Sequence, residues 1–365
     1  MSYSYVPILK TKRAELNALN QISTFTKSKI TPLLEIEPVP VDPDTEIPDK
    51  SYNTFLNNFG EKLSNATTGI QQIYLDGLLI ESQFIAQGDA YPIINATHQA
   101  RAKGVHVIPV SSPTRDIDYR NAVDTLVNDE ICLRLTLADL ANPQLITAYI
   151  SHLNIPYDNI DIVIDLRDTL TEDNIASGLQ QTLSSGLINN LPHLQDYRRV
   201  ILSSGSFPID LTNIQVGSNR LPRLEWILWQ HLHVSGDLAR YVIYSDYGIQ
   251  HPDYNRLPTR FPSVTASVRY TVDDDFLIFR GRKANQYGYE QYGKHCQDIV
   301  AHGEYSGQSF SIGDSKIYDY AQTYATYLQN QQPNTSFGSA EIWRKIGQDH
   351  HITKVVNQLA NLYGL

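Results

Sequence analysis

At 365 residues and 41% apolar content, the chain has room for one large domain or two, and an α/β barrel alone commonly takes about 250 residues. A formal net charge of −10 argues against duplex nucleic acid as a partner, because the overall field repels phosphate. The start Met1-Ser2-Tyr3-Ser4-Tyr5 has no secretory character. There are only two cysteines, Cys132 and Cys296, and no apolar run of about 18 residues, so a cytoplasmic chain with no membrane span is expected.

Tyr5-Val6-Pro7-Ile8-Leu9 reads as a first strand ending at Lys10, and Thr11 to Lys27 as a helix with Ala18, Ile22 and Phe25 on one face. The second strand runs from Ile30 to Glu37, followed by a Pro- and Asp-rich loop and a helix around Phe55, Leu56, Phe59 and Leu63. Ile73-Tyr74-Leu75-Asp76 is the third strand. The helix holding His98 leads to the fourth, Val105 to Val110. Ile131-Cys132-Leu133-Arg134-Leu135 is the fifth, and Asn142-Pro143 opens the next helix.

The sixth strand is the stretch Asn159 to Asp168, which ends in Asp165, Arg167 and Asp168. Its middle is an apolar β-branched run too short for a helix, which is how a buried parallel strand reads. A long helical region with an expected break at Gly186 leads to the seventh strand, Val200 to Ser204. After the helix carrying Trp226 and Trp229 comes the eighth, Tyr241 to Asp246. Strand starts recur roughly every 25 to 40 residues with helical patterns between them, which is the spacing of βα units. The expected fold is therefore α/β: a (β/α)8 TIM-barrel-like unit over residues 1–250. Residues 251–365 form a C-terminal extension, part of the same globule. It contains a β-hairpin (Ser267 to Val272 and Phe276 to Arg280 around Asp273-Asp274-Asp275) and helices ending on the apolar face Ile352, Val355, Val356 and Leu359.

Several of these residues carry a resemblance. Tyr5 to Lys10 with Glu15 and Leu19, Ile30 to Ile36, Asp165-Leu166-Arg167-Asp168, Ser245-Asp246-Tyr247-Gly248, and Trp343-Arg344 with His350-His351-Ile352 are similar in kind and order to the beta family (phage T4 beta protein-like) of phages and bacteria. The resemblance spans nearly the whole chain. It implies a phage or anti-phage defence setting and brings no assigned reaction.

A barrel gathers its strand ends at one mouth, where active sites of this fold sit. Lys10, Glu35, Asp165, Arg134 and His351 are the candidate catalytic residues; Asp76, Ser203, Ser204, Asp246, Tyr247 and Arg280 are the candidate ligand contacts. The carboxylates suit a hard cation such as Mg²⁺, or ion pairing to Lys10, Arg134 and Arg167, which is favoured because the bases share the rim. Zn²⁺ has no His-Glu-x-x-His or Cys-x-x-Cys to hold it. Ser203-Ser204-Gly205-Ser206 lies where barrels often bind phosphate. His350 and His351 offer either a packed cap or a lid acid. Arg280, Arg282 and Lys283 with Tyr287 and Tyr289 make a basic, aromatic patch that reads as a phosphate or base clamp, or as a solvated hairpin end. Glu35 and Asp165 as a glycosidase pair are weakened by tryptophans that fall on helices rather than rim loops.

The first expectation is an enzyme, a hydrolase of a phosphorylated or nucleotide-like small molecule working by acid/base or metal-assisted chemistry. The alternative is an inert barrel that binds a ligand or a protein partner as sensor, sponge or inhibitor.

Overall fold

The computed structural model describes residues 4–42, 45, 47–81, 92–254, 264–330 and 335–364. Its strands in chain order are β1 (Tyr5–Lys10), β2 (Leu33–Glu35), β3 (Ile73–Asp76), β4 (Val107–Ser111), β5 (Ile131–Leu135), β6 (Ile160–Asp165), β7 (Arg199–Ser204), β8 (Gly217–Pro222), β9 (Ile243–Asp246), β10 (Thr265–Thr271) and β11 (Asp275–Lys283). β1 to β7 and β9 close into a barrel in which every neighbouring pair is parallel. With helices between its strands, this is the (β/α)8 barrel expected from the sequence.

The chain divides into two compact units. The barrel unit comprises Met1–Thr11, Lys29–Ser206 and Leu224–Tyr247. The second takes Lys12–Ser28 and Phe207–Arg223 along with Gly248–Leu365, so the helix after β1 and the segment holding β8 group with the C-terminal region and not with the barrel.

Side chains alternate across each barrel strand. Val6, Ile8, Leu33, Tyr74, Ile108, Val110, Cys132, Val163, Ile201, Ile243 and Tyr247 form the interior cluster. The opposite parity faces the helices: Tyr244 meets Trp226 and Trp229 edge-on at 5.0 and 5.7 Å. Each fully buried aromatic of this kind removes a large apolar area from water, worth about 2–3 kcal/mol. The helices Phe59–Thr67 and Pro92–Ala102 approach so closely that a Cβ added at Gly60 would sit 2.2 Å from the Gln99 carbonyl oxygen. Gly60→Ala is expected to force the two backbones apart and lower stability by about 2–3 kcal/mol, read as a fall in the urea midpoint. An unchanged midpoint would show that the contact is slack.

In the second unit β11 lies between β10 and β8 in an antiparallel sheet. One face, with Val268, Tyr270, Leu277 and Phe279, packs in a core with Tyr292, Trp343 and Ile346. The other, with Phe276 and Ile278, packs with Phe207 and Ile249. The hairpin falls where the alternation put it, and Ile352, Val355, Val356 and Leu359 are all fully buried.

Three local readings change. The helix expected to run through Lys27 stops at Gln21, and Ser23 caps a separate turn, Thr24–Lys27, leaving Phe25 half exposed. The break expected at Gly186 falls instead at Gly178, whose φ of 72° only glycine tolerates easily; Gly186 lies inside the helix Leu179–Asn189. The edge strand β8, Gly217-Ser218-Asn219-Arg220-Leu221-Pro222, was not anticipated, because it lacks the apolar alternation of a buried strand.

Candidate functional site

Interior parity carries one residue further along each barrel strand into a polar layer. Two positions beyond Ile8, Leu33, Tyr74, Val110, Cys132, Val163, Ile201 and Ile243 stand Lys10, Glu35, Asp76, Ser112, Arg134, Asp165, Ser203 and Ser245. All are at most 4% exposed. Barrel interiors are ordinarily filled by branched apolar side chains, so a charged layer here costs desolvation that an apolar one would not.

Arg134 is the hub of this layer. Its NH1 donates to Glu35 Oε1 at 2.8 Å and to Asp76 Oδ2 at 2.7 Å, its Nε donates to Asp165 Oδ2 at 2.9 Å, and its NH2 donates to the Tyr247 hydroxyl at 2.6 Å. The Tyr247 hydroxyl in turn donates a hydrogen bond to Asp165 Oδ2 at 2.6 Å. Backbone N–H groups of Leu78 and Arg167 hold Asp76 Oδ1 and Asp165 Oδ1. Burial alone would raise the Asp76 carboxyl, but the Arg115 and Arg134 guanidiniums outweigh it and hold it below the usual carboxylate value. Burial pushes the Tyr247 hydroxyl well up, so Tyr247 acts as a neutral donor.

Arg115 was missed by sequence reasoning. It follows β4 in a loop without periodic signal, yet it reaches Asp76 at 3.0 Å and Glu81 at 2.6 Å. Lys10 Nζ stands 3.9 Å from Glu35 Oε2. Lys10, Arg115 and Arg134 thus face Glu35, Asp76, Asp165 and Glu81, so the cations do not outnumber the carboxylates. The centre between the carboxylates is filled by a guanidinium, as the ion-paired reading expected, so we assign no ligand set for Mg²⁺ there.

Two atoms of this layer make no hydrogen bond: Glu35 Oε2 and Ser203 Oγ, both on fully buried residues. An orphaned buried polar atom costs about 1–3 kcal/mol and calls for an explanation.

The other candidates are not members of this layer. Ser204 and Asp246 have the outward parity; Asp246 accepts hydrogen bonds from the Tyr5 and Tyr244 hydroxyls at 2.5 and 2.7 Å. The phosphate reading of the Ser203–Ser206 loop meets occupied donors, because Gly205 N–H donates to the Arg167 carbonyl and Ser206 N–H to Glu225. Arg280 and His351 belong to the second unit. The Arg280 guanidinium donates to the Thr212 and Ile214 carbonyls. The His351 ring is fully buried, bonded to the Thr271 hydroxyl at 2.9 Å and stacked on Phe276, which is the packed-ring reading. Its neighbour His350 is held between Asp314 and the Thr271 carbonyl.

The opposite end of the barrel interior carries a second polar cluster. Asp161 accepts the Tyr74 hydroxyl at 2.6 Å and a two-pronged contact from Arg198 at 2.9 and 2.6 Å. Burial pushes the Asp161 carboxyl up to about 6, with Tyr74, Arg199 and Arg240 pulling it back. A folded-state value raised above 3.8 favours the protonated form. Its stabilisation is therefore complete below the unfolded value and is lost as pH rises through about 6. Wild type is expected to lose about 1–2 kcal/mol relative to Asp161→Asn between pH 4 and pH 7, by urea titration at each pH. A constant difference would mean that Arg198 fully offsets the burial.

No helix among the described residues is long and apolar enough to cross a membrane. No curated protein matches the chain. Among solved structures, the triosephosphate isomerase of Bartonella henselae is similar over 66% of this chain and 90% of that one, at 11% identity and a TM-score of 0.25. The family model described as "Beta protein" matches residues 5–357, and on that nearly full-length match the chain belongs to the beta protein family.

Proposed function

We propose that the C-terminal end of the barrel interior is the catalytic site of a hydrolase acting on a hydroxyl-bearing small molecule of the nucleotide or sugar-phosphate class. The observation that carries this is the pair of buried atoms without a hydrogen bond, Glu35 Oε2 and Ser203 Oγ, inside a layer whose cations do not outnumber its carboxylates. A layer without an excess of cations has none to spare for a phosphate, so the recognised part of the ligand is its hydroxyls, which donate to a carboxylate oxygen and exchange hydrogen bonds with a serine. Glu35 is suited to a general base. Arg134 pins its Oε1 and leaves Oε2 open, so Oε2 takes a proton from the attacking water and returns it to the leaving oxygen. Lys10 and Arg134 stabilise the negative charge that builds up, and Asp165 and Tyr247 hold Arg134 in place.

The second reading, a binding barrel without turnover in a phage or defence setting, is favoured by one fact: Nε and both terminal nitrogens of Arg134 already donate within the protein. Incubating the purified protein with nucleotides, sugar phosphates and phosphodiesters, with and without Mg²⁺, separates the two. Product formation supports the hydrolase. Saturable binding of a panel member that is recovered unchanged supports the binder, and neither result leaves the site a structural layer only.

A further inference from the structure

The turn after β11 is built as a fixed platform, and the barrel site does not use it. Gln291 spans it: its Oε1 accepts the Arg282 N–H at 2.8 Å, and its Nε2 donates to the Gly288 carbonyl at 2.7 Å. Gly288 turns the chain with a φ of 91°, and a Cβ there would strike the Glu290 carboxylate at 2.1 Å. The next residue but two past Tyr289, Tyr292, is buried and stacks on Trp343 at 5.3 Å, which anchors the turn to the core of the second unit.

On this rigid base two aromatic rings face solvent: Tyr287 is 52% and Tyr289 48% exposed. The Arg282 guanidinium lies over the Tyr287 ring at 5.0 Å, and Lys283 beside it is exposed. Among the described residues neither Arg282 nor Lys283 has an ion-pair partner, although Glu290 is close by in sequence. Exposed tyrosines cost apolar area in water, and unpaired cations beside them supply what an anionic, flat-ringed partner needs.

We propose that Arg282, Lys283, Tyr287 and Tyr289 form a contact surface for single-stranded nucleic acid. Bases stack on the tyrosines, and the two cations take backbone phosphates. Stacking is indifferent to base identity, so the surface is not sequence-specific. The chain's net charge of −10 confines the attraction to this patch and makes binding salt-sensitive. Duplex is disfavoured because its bases are not available to stack.

The test is fluorescence polarisation of labelled oligothymidylate at low salt against the full chain, with a matched abasic oligonucleotide and inorganic polyphosphate as probes. Two phosphate contacts predict a log–log salt slope of about −1.4. Tyr287→Ala/Tyr289→Ala and Arg282→Ala/Lys283→Ala change exposed side chains, and an unchanged thermal melt checks that each remains folded. Each pair is expected to weaken oligothymidylate binding by about tenfold or more, and the tyrosine pair to leave polyphosphate binding unchanged. Absence of binding by wild type overturns the proposal. So does equal binding of abasic and normal strands, which would make the patch a plain anion site, and so does full binding by both double variants.

Discussion

Replacing Arg134 by methionine is expected to cost the fold about 3–5 kcal/mol at pH 7, seen as a large fall in the urea midpoint. Methionine fills much of the volume, so the loss is electrostatic. Glu35, Asp76 and Asp165 are each at most 1% exposed, and all three bond to this one guanidinium. Without it, three carboxylates share a closed space with Lys10 and Arg115 as their remaining cations, and the Tyr247 hydroxyl loses a donor. Protonation relieves such a cluster. The destabilisation should therefore shrink as pH falls from 7 towards 5, the reverse of ordinary acid sensitivity. Arg134→Lys keeps the charge but not the fork, and one ammonium is expected to recover only part of the loss. A midpoint for Arg134→Met within about 1 kcal/mol of wild type would show that the layer is wet and that its charges are solvated.

Glu35→Gln carries the second large effect, this time on chemistry. The amide is nearly isosteric and presents an oxygen to Arg134, so the layer keeps its shape, but it is no longer able to take a proton at the position of Oε2. General-base loss of this kind costs about 10²–10⁴ in turnover, and KM rises as well, because the ligand hydroxyl that donates to Oε2 loses its acceptor while the Ser203 contact remains. Ser203→Ala should show the complementary pattern, a raised KM with turnover nearly intact, as expected for a contact made equally in ground and transition states. A Glu35→Gln variant with wild-type turnover would remove the base from the proposal.

Much of this end of the barrel was legible in the sequence because polar residues follow apolar runs at fixed distances. Ile8 to Lys10, Leu33 to Glu35, Cys132 to Arg134 and Val163 to Asp165 each step once along the same strand face. Ser204 and Asp246 mislead because they too end strands; counted from the interior residues Ile201 and Ile243 they turn outward, but both faces of these strands are apolar, so the sequence does not say which parity faces in. Arg115 and Glu81 left no such trace, since loop residues have no period and their pairing is set by tertiary approach. The same holds for β8, whose sequence is polar because it lies on a sheet edge, and whose existence depends on β11 being there to receive it. His351 read equally well as a lid or a packed ring, and only burial separates those.

A side-by-side kinetic comparison of Glu35→Gln and Asp246→Asn, on whichever panel compound wild type hydrolyses, tests the site most directly. Both remove one carboxylate from the same end of the barrel, one facing inward and one facing outward. Turnover lost a hundredfold or more in the inward variant, with the folded outward variant close to wild type, is the predicted result. Loss in the outward variant alone would put the chemistry on the wrong side of the barrel wall.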